Sequence, residues 1–259
     1  MRRLLFIAIF CGSAWQLEAA TIAVTRLSES SFILRAADST TNIGLLKTSK
    51  GLVLIDPAPG KDNLQALNQR VEEIAGEAVS FILTTHQDED HSAGNPYFIA
   101  QGARLLSDTI QLPGIESRLV RSHSKEDRIY LDTQSNCIFV GDIYDASWHP
   151  TFYAGGVQGF KHAVESILNM GNEDSIIVPG HGKPGDKAAV RRFYANTLDW
   201  VERVKILSKQ GLTANDMRND SDLLAILARF NSEGKQEFIP EKALLRFIER
   251  TITVLQTGL

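Results

Sequence analysis

Two histidines and three carboxylates fall within six consecutive positions, His86 to His91 in the stretch HQDEDH, directly after the apolar run VSFIL. Imidazole nitrogen and carboxylate oxygen are ligands for zinc, manganese or iron rather than for metals that prefer thiolate. In an extended segment leaving a strand, alternate side chains project to one side. His86, Asp88 and Asp90 can therefore face one site. A solvated acidic loop is the other reading of the same hexad, and the rest of the chain decides between them.

A site of this kind needs strands that end together. From Thr21 the pattern TIAVTRLSESSFILRAA reads as a hairpin, and TTNIGLLKTSKGLVLIDPAPG places two further apolar runs around the turn SKG. KDNLQALNQRVEEIAG carries apolar residues at helical spacing, and VSFIL is a buried strand ending in the hexad. HSAGNPYFIAQG predicts a short helix, ARLLSD another strand, and RIYLD with NCIFVGD a second hairpin. GFKHAVESILNMG is helical, SIIVPG a strand, and DKAAVRRFYANTLDWVERVKILSKQG a long amphipathic helix, with SDLLAILARF and EKALLRFIERTITVLQ as closing helices. Strands and helices thus alternate in two rounds, which predicts two sheets sandwiched between helices.

Four strand regions place polar residues where a site can collect. VSFIL leads to His86, Asp88, Asp90 and His91; SHSKED before RIYL carries His123; NCIFV ends in Gly141 and Asp142; SIIV ends in PGHG with His181. In that order, HxxxDH, a later histidine, GD and then PGHG, the chain resembles the metallo-β-lactamase superfamily over about residues 22–190.

The resemblance implies an α/β fold, a four-layer αββα sandwich with a two-metal hydrolytic site at one edge. It implies that His86 and His123 hold the first ion, that Asp90, His91 and His181 hold the second, and that Asp142 bridges them, with Asp90 and Asp142 as the catalytic carboxylates. The expected ions are two divalent metals, zinc first. Asp56 in LVLIDPAPG matches a recurrent aspartate of the family that supports the metal loops through hydrogen bonds.

This chain departs from the family hexad HxHxDH by carrying Asp88 in the third place. Flavodiiron proteins of the same superfamily are similar in carrying a glutamate there. As a ligand, Asp88 makes the site less positive, which weakens its acidifying power and suits iron or manganese better. Otherwise Asp88 marks loss of the first ion. The segment LPGIESRLVRSHSKED between His91 and His123 is short for the family, which predicts a more open groove. Trp148, His149 and Tyr153 are candidates for the border of a substrate pocket, although a loop histidine on the surface fits His149 equally. Asp127 either orients a ligand or starts a strand, the Gly155 and Gly156 pair fits a mobile loop or an ordinary turn, and His162 belongs to a helical pattern.

The chain of 259 residues is expected to form one domain over residues 21–259, its core at about 22–190 and additional helices at 191–259. The net charge of −4, without blocks of like charge, gives no footprint for nucleic acid or anionic lipid, so a small-molecule substrate is the expected partner. Residues 1–20, MRRLLFIAIFCGSAWQLEAA, read as a secretory signal peptide or, failing cleavage, an anchor. Cleavage predicts a periplasmic or secreted protein with no membrane attachment and leaves Cys137, in an apolar strand, as a buried inert thiol. The leading function is an exported hydrolase in which a metal-bound hydroxide attacks an ester, lactone, thioester or amide, β-lactam included. By resemblance the PGHG and GD features are nearer the glyoxalase-type and quinoprotein-associated branches. The alternatives are an iron-dependent redox enzyme related to flavodiiron proteins and a noncatalytic binding protein on the same fold.

Overall fold

The computed structural model describes residues 21–106 and 112–258; the expected signal peptide lies outside the described residues. One sheet runs β1 (Ile22–Arg26), β2 (Ser31–Ala36), β3 (Ile43–Thr48), β4 (Gly51–Ile55), β5 (Val79–Leu83) and β6 (Arg104–Leu105), each beside the next. The first four are antiparallel, and β4, β5 and β6 are parallel. Helix α1 (Leu64–Ala75) makes the crossover from β4 to β5, and two short helices, α2 (Glu89–Ser92) and α3 (Asn95–Ala100), follow the hexad.

The second sheet contains β7 (Ile115–Val120), β8 (Asp127–Asp132), β9 (Cys137–Phe139) and β10 (Ile176–Val178), in the order β10-β9-β8-β7. Antiparallel pairing joins β7, β8 and β9, while α4 (Gly156–Asn169) carries the chain over to β10, parallel to β9. Helices α5 (Lys187–Lys209), α6 (Ala214–Met217), α7 (Ser221–Ala228) and α8 (Glu241–Thr257) complete the chain.

Strand alternation sorts the apolar residues into layers. Along β2 to β4, Leu34, Leu45 and Leu54 pack with Leu67 and Val71 of α1 and Phe98 of α3. Their neighbours Ile33, Leu46, Val53 and Ile55 turn the other way, against Tyr130, Cys137, Phe139 and Val178 of the second sheet. The far face of that sheet, with Ile129, Leu131, Ile138 and Ile177, is covered by Phe160 of α4, Trp200 of α5 and Phe247 of α8. The layers are helix, sheet, sheet, helix, and the αββα sandwich expected from the sequence is the observed fold.

Local chemistry sets the long helices. The Asp186 side chain caps α5 by accepting from the Ala189 amide at 2.6 Å, a contact of about 1 kcal/mol. Helix α8 is fixed by Trp200, whose ring lies parallel to that of Phe247 at 4.0 Å and whose Nε1 donates to Thr251 Oγ1 at 3.0 Å. Among the described residues no helix is long and apolar enough to cross a membrane.

Several local readings differ from the sequence expectation. Among its described residues ARLLSD contributes a two-residue strand, Arg104–Leu105, and the short segment before His123 contains a full edge strand, β7, in register with β8. β7 alternates poorly because four of its six residues are exposed, which hides it from a reading based on apolar runs. Gly155 closes an ordinary turn at the start of α4, and a Cβ there would lie 2.1 Å from the Arg121 carbonyl oxygen, so the backbone itself packs against that of the strand end. Cys137 is buried, and burial pushes its thiol pKa up, consistent with an inert side chain.

Candidate metal centre

Parallel pairing brings the chemistry to one edge. Ile55 of β4 is paired with Leu83 of β5, so Asp56 and the segment Thr84 to His86 leave the first sheet side by side. Phe139 of β9 is paired with Val178 of β10, so Asp142 and His181 leave the second sheet in the same way. The loop between β7 and β8 delivers His123 to this rim. Bonds between the two sheets close it: the Arg128 amide donates to Thr85 O at 2.7 Å, and the Asn42 amide to Gly180 O at 2.8 Å.

All seven residues proposed as ligands from the sequence meet here. His86, His123 and Asp142 form one group able to hold a cation, and Asp90, His91 and His181 form a second. Asp142 stands between them: its Oδ1 is 3.3 Å from His91 Nε2 and 3.4 Å from His181 Nε2, and its Oδ2 is 3.9 Å from His123 Nε2. Asp90 Oδ2 lies 3.3 Å from His181 Nε2. Asp88 Oδ2 is 3.1 Å from His123 Nε2 and 3.7 Å from His86 Nε2, which places the unusual carboxylate beside the first group.

The four imidazoles share one arrangement. Each Nδ1 has a neighbour outside the cluster: Thr85 Oγ1 for His86 at 3.1 Å, Asp56 Oδ2 for His91 at 3.0 Å, Thr151 Oγ1 for His123 at 2.5 Å, and Thr40 Oγ1 for His181 at 3.0 Å. For His86 the direction follows, because the Thr85 hydroxyl donates to Asp56 Oδ2 at 2.6 Å and so receives the Nδ1 proton. His91 donates Nδ1–H to the Asp56 carboxylate. In the neutral ring this leaves the Nε2 lone pair of each facing inward, the orientation that anchored metal-binding histidines adopt.

The donor set fits divalent cations. His86 Nε2 and Asp142 Oδ1 are buried without a hydrogen-bond partner, a costly condition for polar atoms that have no other ligand. His91 Nε2 and His181 Nε2 face one another at 3.3 Å. Without a cation, protons on the imidazoles balance the carboxylates: burial opposes charge on His91, but Asp56 and Asp142 overcome it and raise its pKa to about 11. Burial likewise opposes charge on His181, which Asp90 and Asp142 raise to about 9. His86 is lowered, by burial first and then by the nearby His91 charge. Asp142 is held well below the usual carboxylate range, since the charge of His91, its Nε2 3.3 Å away, and those of the other surrounding imidazoles outweigh its burial. A cation binding here releases those protons.

Asp56 occupies the supporting position read from the sequence. Its carboxylate accepts from the Thr85 amide at 2.7 Å as well as from Thr85 Oγ1 and His91, and its backbone has φ of 54°. Aspartate tolerates that left-handed conformation better than most side chains. Asp127 starts β8, and its carboxylate accepts from the amides of Ser122 and Ser124 in the turn that carries His123. His149 is buried, not a surface loop residue; its ring stacks on Phe247 at 4.1 Å and its Nδ1 donates to Pro150 O. His162 is exposed on α4, away from the cluster's contacts.

The sequence reading missed the hydroxyl anchors Thr40, Thr85 and Thr151, which no motif marks except Thr85, adjacent to the hexad. It also missed Asp145, buried beside the cluster, whose pKa is pushed up to about 6 by burial and by the Asp142 charge.

Known proteins show the same plan. The sequence model of the metallo-β-lactamase superfamily matches residues 37–103. A metallo-β-lactamase type 2 of Elizabethkingia meningoseptica is 22% identical over 173 residues, covering 65% of this chain and 64% of that protein. The chain thus spans just under two thirds of that relative's length. A metallo-β-lactamase type 2 of Bacillus sp. (strain 170) is 24% identical over 187 residues, covering 61% of this chain and 71% of that protein. In structure, the metallo-β-lactamase from Pontibacter korlensis superposes with a TM-score of 0.60 at 18% identity, over 68% of this chain and 98% of the other. DIM-1 metallo-β-lactamase gives 0.58 at 16% identity, over 67% and 95%. The αββα layers, the ordered motifs and the matched segment around the hexad all make the chain similar to the metallo-β-lactamase superfamily.

Proposed function

We propose that this protein is an exported metal-dependent hydrolase that cleaves an ester, lactone, thioester or amide bond, β-lactams included. One observation carries the reading: four imidazoles are each anchored through Nδ1, and three of them, His91, His123 and His181, turn Nε2 toward one carboxylate, Asp142, with His86 in the same group. His86, His123, Asp88 and Asp142 would hold one divalent ion, and Asp90, His91, His181 and Asp142 the other. Ions bound there supply Lewis acidity, acidifying a water molecule and polarising a carbonyl oxygen. No serine or cysteine nucleophile is required.

The chain's own groups divide the work. Asp142 balances charge between the two groups from a half-buried position. Asp90, whose side chain is 58% exposed and bonded to His181 Nε2, stands at the mouth, where it can take a proton from water and return it to a leaving group. Asp56, Thr40, Thr85 and Thr151 hold the imidazoles in orientation.

Elemental analysis of protein purified without added metal, together with a panel of esters, lactones, thioesters and β-lactams, tests this. Two equivalents of metal and hydrolysis that chelator abolishes and zinc restores are expected. Metal-free protein inert toward the panel after zinc, manganese or iron loading overturns the proposal. Asp88 beside His123 favours a second reading, iron-dependent redox chemistry; an iron absorbance band in the isolated protein supports it, and zinc without such a band opposes it. Export rests on the character of residues 1–20, and mass spectrometry of the mature protein is expected to find Thr21 at its start.

A further inference from the structure

A cavity of about 430 Å³ opens beside the first ligand group, with Asp88 and His123 on one side and Trp148 and Tyr153 among its walls. Helix α8 also lines it, through Lys242, Arg246 and Arg250. These residues fall at i, i+4 and i+8, one stripe of the helix, while Leu244, Phe247, Ile248 and Thr251 face the core.

Like charges at that spacing repel one another and destabilise an isolated helix. Among the described residues no carboxylate lies within ion-pair distance of the three, and Glu241 at the helix start is engaged by Arg218 instead. Arg250 is held over the Tyr153 ring at 4.6 Å from its centroid, and the Tyr153 hydroxyl is buried without a partner. The helix cannot easily turn its cations away, because Phe247 is clamped between Trp200 at 4.0 Å and His149 at 4.1 Å. Uncompensated cations on a fixed wall of a cavity shared with a candidate reaction centre are arranged to receive an anion.

We propose that the Lys242, Arg246 and Arg250 stripe of α8 is an anion subsite of the same pocket, so that the substrate is an acyl compound carrying a carboxylate or phosphate-type group. The assignment rests on the hydrolase reading for its substrate but not for its binding. The acidic group lies against α8, the body of the substrate lies along Trp148 and Tyr153, and the scissile bond reaches toward His123 and Asp88.

Three 4-nitrophenyl esters of matched length test it on the metal-loaded protein: the pentanoate, the hydrogen glutarate and the 4-phosphonobutanoate. The wild type is expected to favour one or both anionic esters over the pentanoate by tenfold or more in kcat/KM, mainly through KM, and the preferred ester identifies the anion. Arg246→Glu with Arg250→Glu is expected to invert that preference, and Arg246→Gln with Arg250→Gln to abolish it, in proteins whose circular dichroism matches the wild type. A preference unchanged by both pairs overturns the subsite. Calorimetric titration of metal-free protein with phenylacetate and with phenylacetamide separates this from the hydrolase reading. Phenylacetate binding that the glutamate pair abolishes, in a protein inert toward every ester, sustains the subsite and removes the hydrolase. Equal binding by wild type and variant, or none, removes the subsite.

Discussion

Asp56 Oδ2 lies 3.0 Å from His91 Nδ1, with the two side chains 3% and 0% exposed, and the same carboxylate holds both the amide and the hydroxyl of Thr85. One buried group therefore orients His91 directly and His86 through Thr85. Replacing Asp56 by alanine strands three buried donors and breaks a buried charge pair, at about 3–5 kcal/mol. Urea unfolding is expected to show that loss, and competition with a chelator a 10- to 100-fold weaker affinity for metal. Unchanged affinity in the folded variant would show that Asp56 does not act through the imidazoles.

The Asp88 carboxylate lies beside His86 and His123, in the first candidate group. Asp88→Ala is expected to lower metal content from two equivalents toward one after dialysis, whereas His181→Ala weakens the other ion. One equivalent in the wild type that Asp88→Ala leaves unchanged removes Asp88 from the ligands.

At Gly180 a Cβ would fall 2.0 Å from Asp142 Oδ1 and 3.1 Å from His91 Cε1. Gly180→Ala must push Asp142 from between the two groups, at about 1–3 kcal/mol of overpacking. The expected result is a protein with native circular dichroism, a thermal midpoint lowered by several degrees and little bound metal.

His149 supplies a pH signature separate from the ligands. Burial lowers its pKa from 6.5 to about 4. The unfolded chain therefore binds a proton that the native protein refuses as pH falls from 6.5 toward 4. Stability present above 6.5 is lost across that window, up to about 3 kcal/mol. His149→Phe keeps a ring against Phe247 and is expected to flatten the slope of unfolding free energy between pH 6.5 and 4.5 relative to wild type.

The alternation of β2 to β4 and the helical spacing of α5 and α8 were legible in the sequence because burial repeats with the period of each element. The candidate ligands were legible because His and Asp at strand ends serve few structural purposes, and their order along the chain is similar to that of a family. Thr40 and Thr151 were hidden, since a threonine that holds an imidazole looks like any turn threonine until the fold brings them together. The cations of α8 were visible as charges but not as pocket walls. Their position depends on how Phe247 seats between Trp200 and His149, a long-range packing result with no local signal.

The parallel seam between β9 and β10 separates what must be held from what can vary. Asp142 and His181 are fixed by adjacent strand ends, so α4 serves as a tether whose length sets neither position. Residues gained or lost at the solvent end of that crossover leave the cation cage undisturbed. Chains that have drifted far apart in sequence can on this basis keep one constellation of ligands while remodelling what surrounds it.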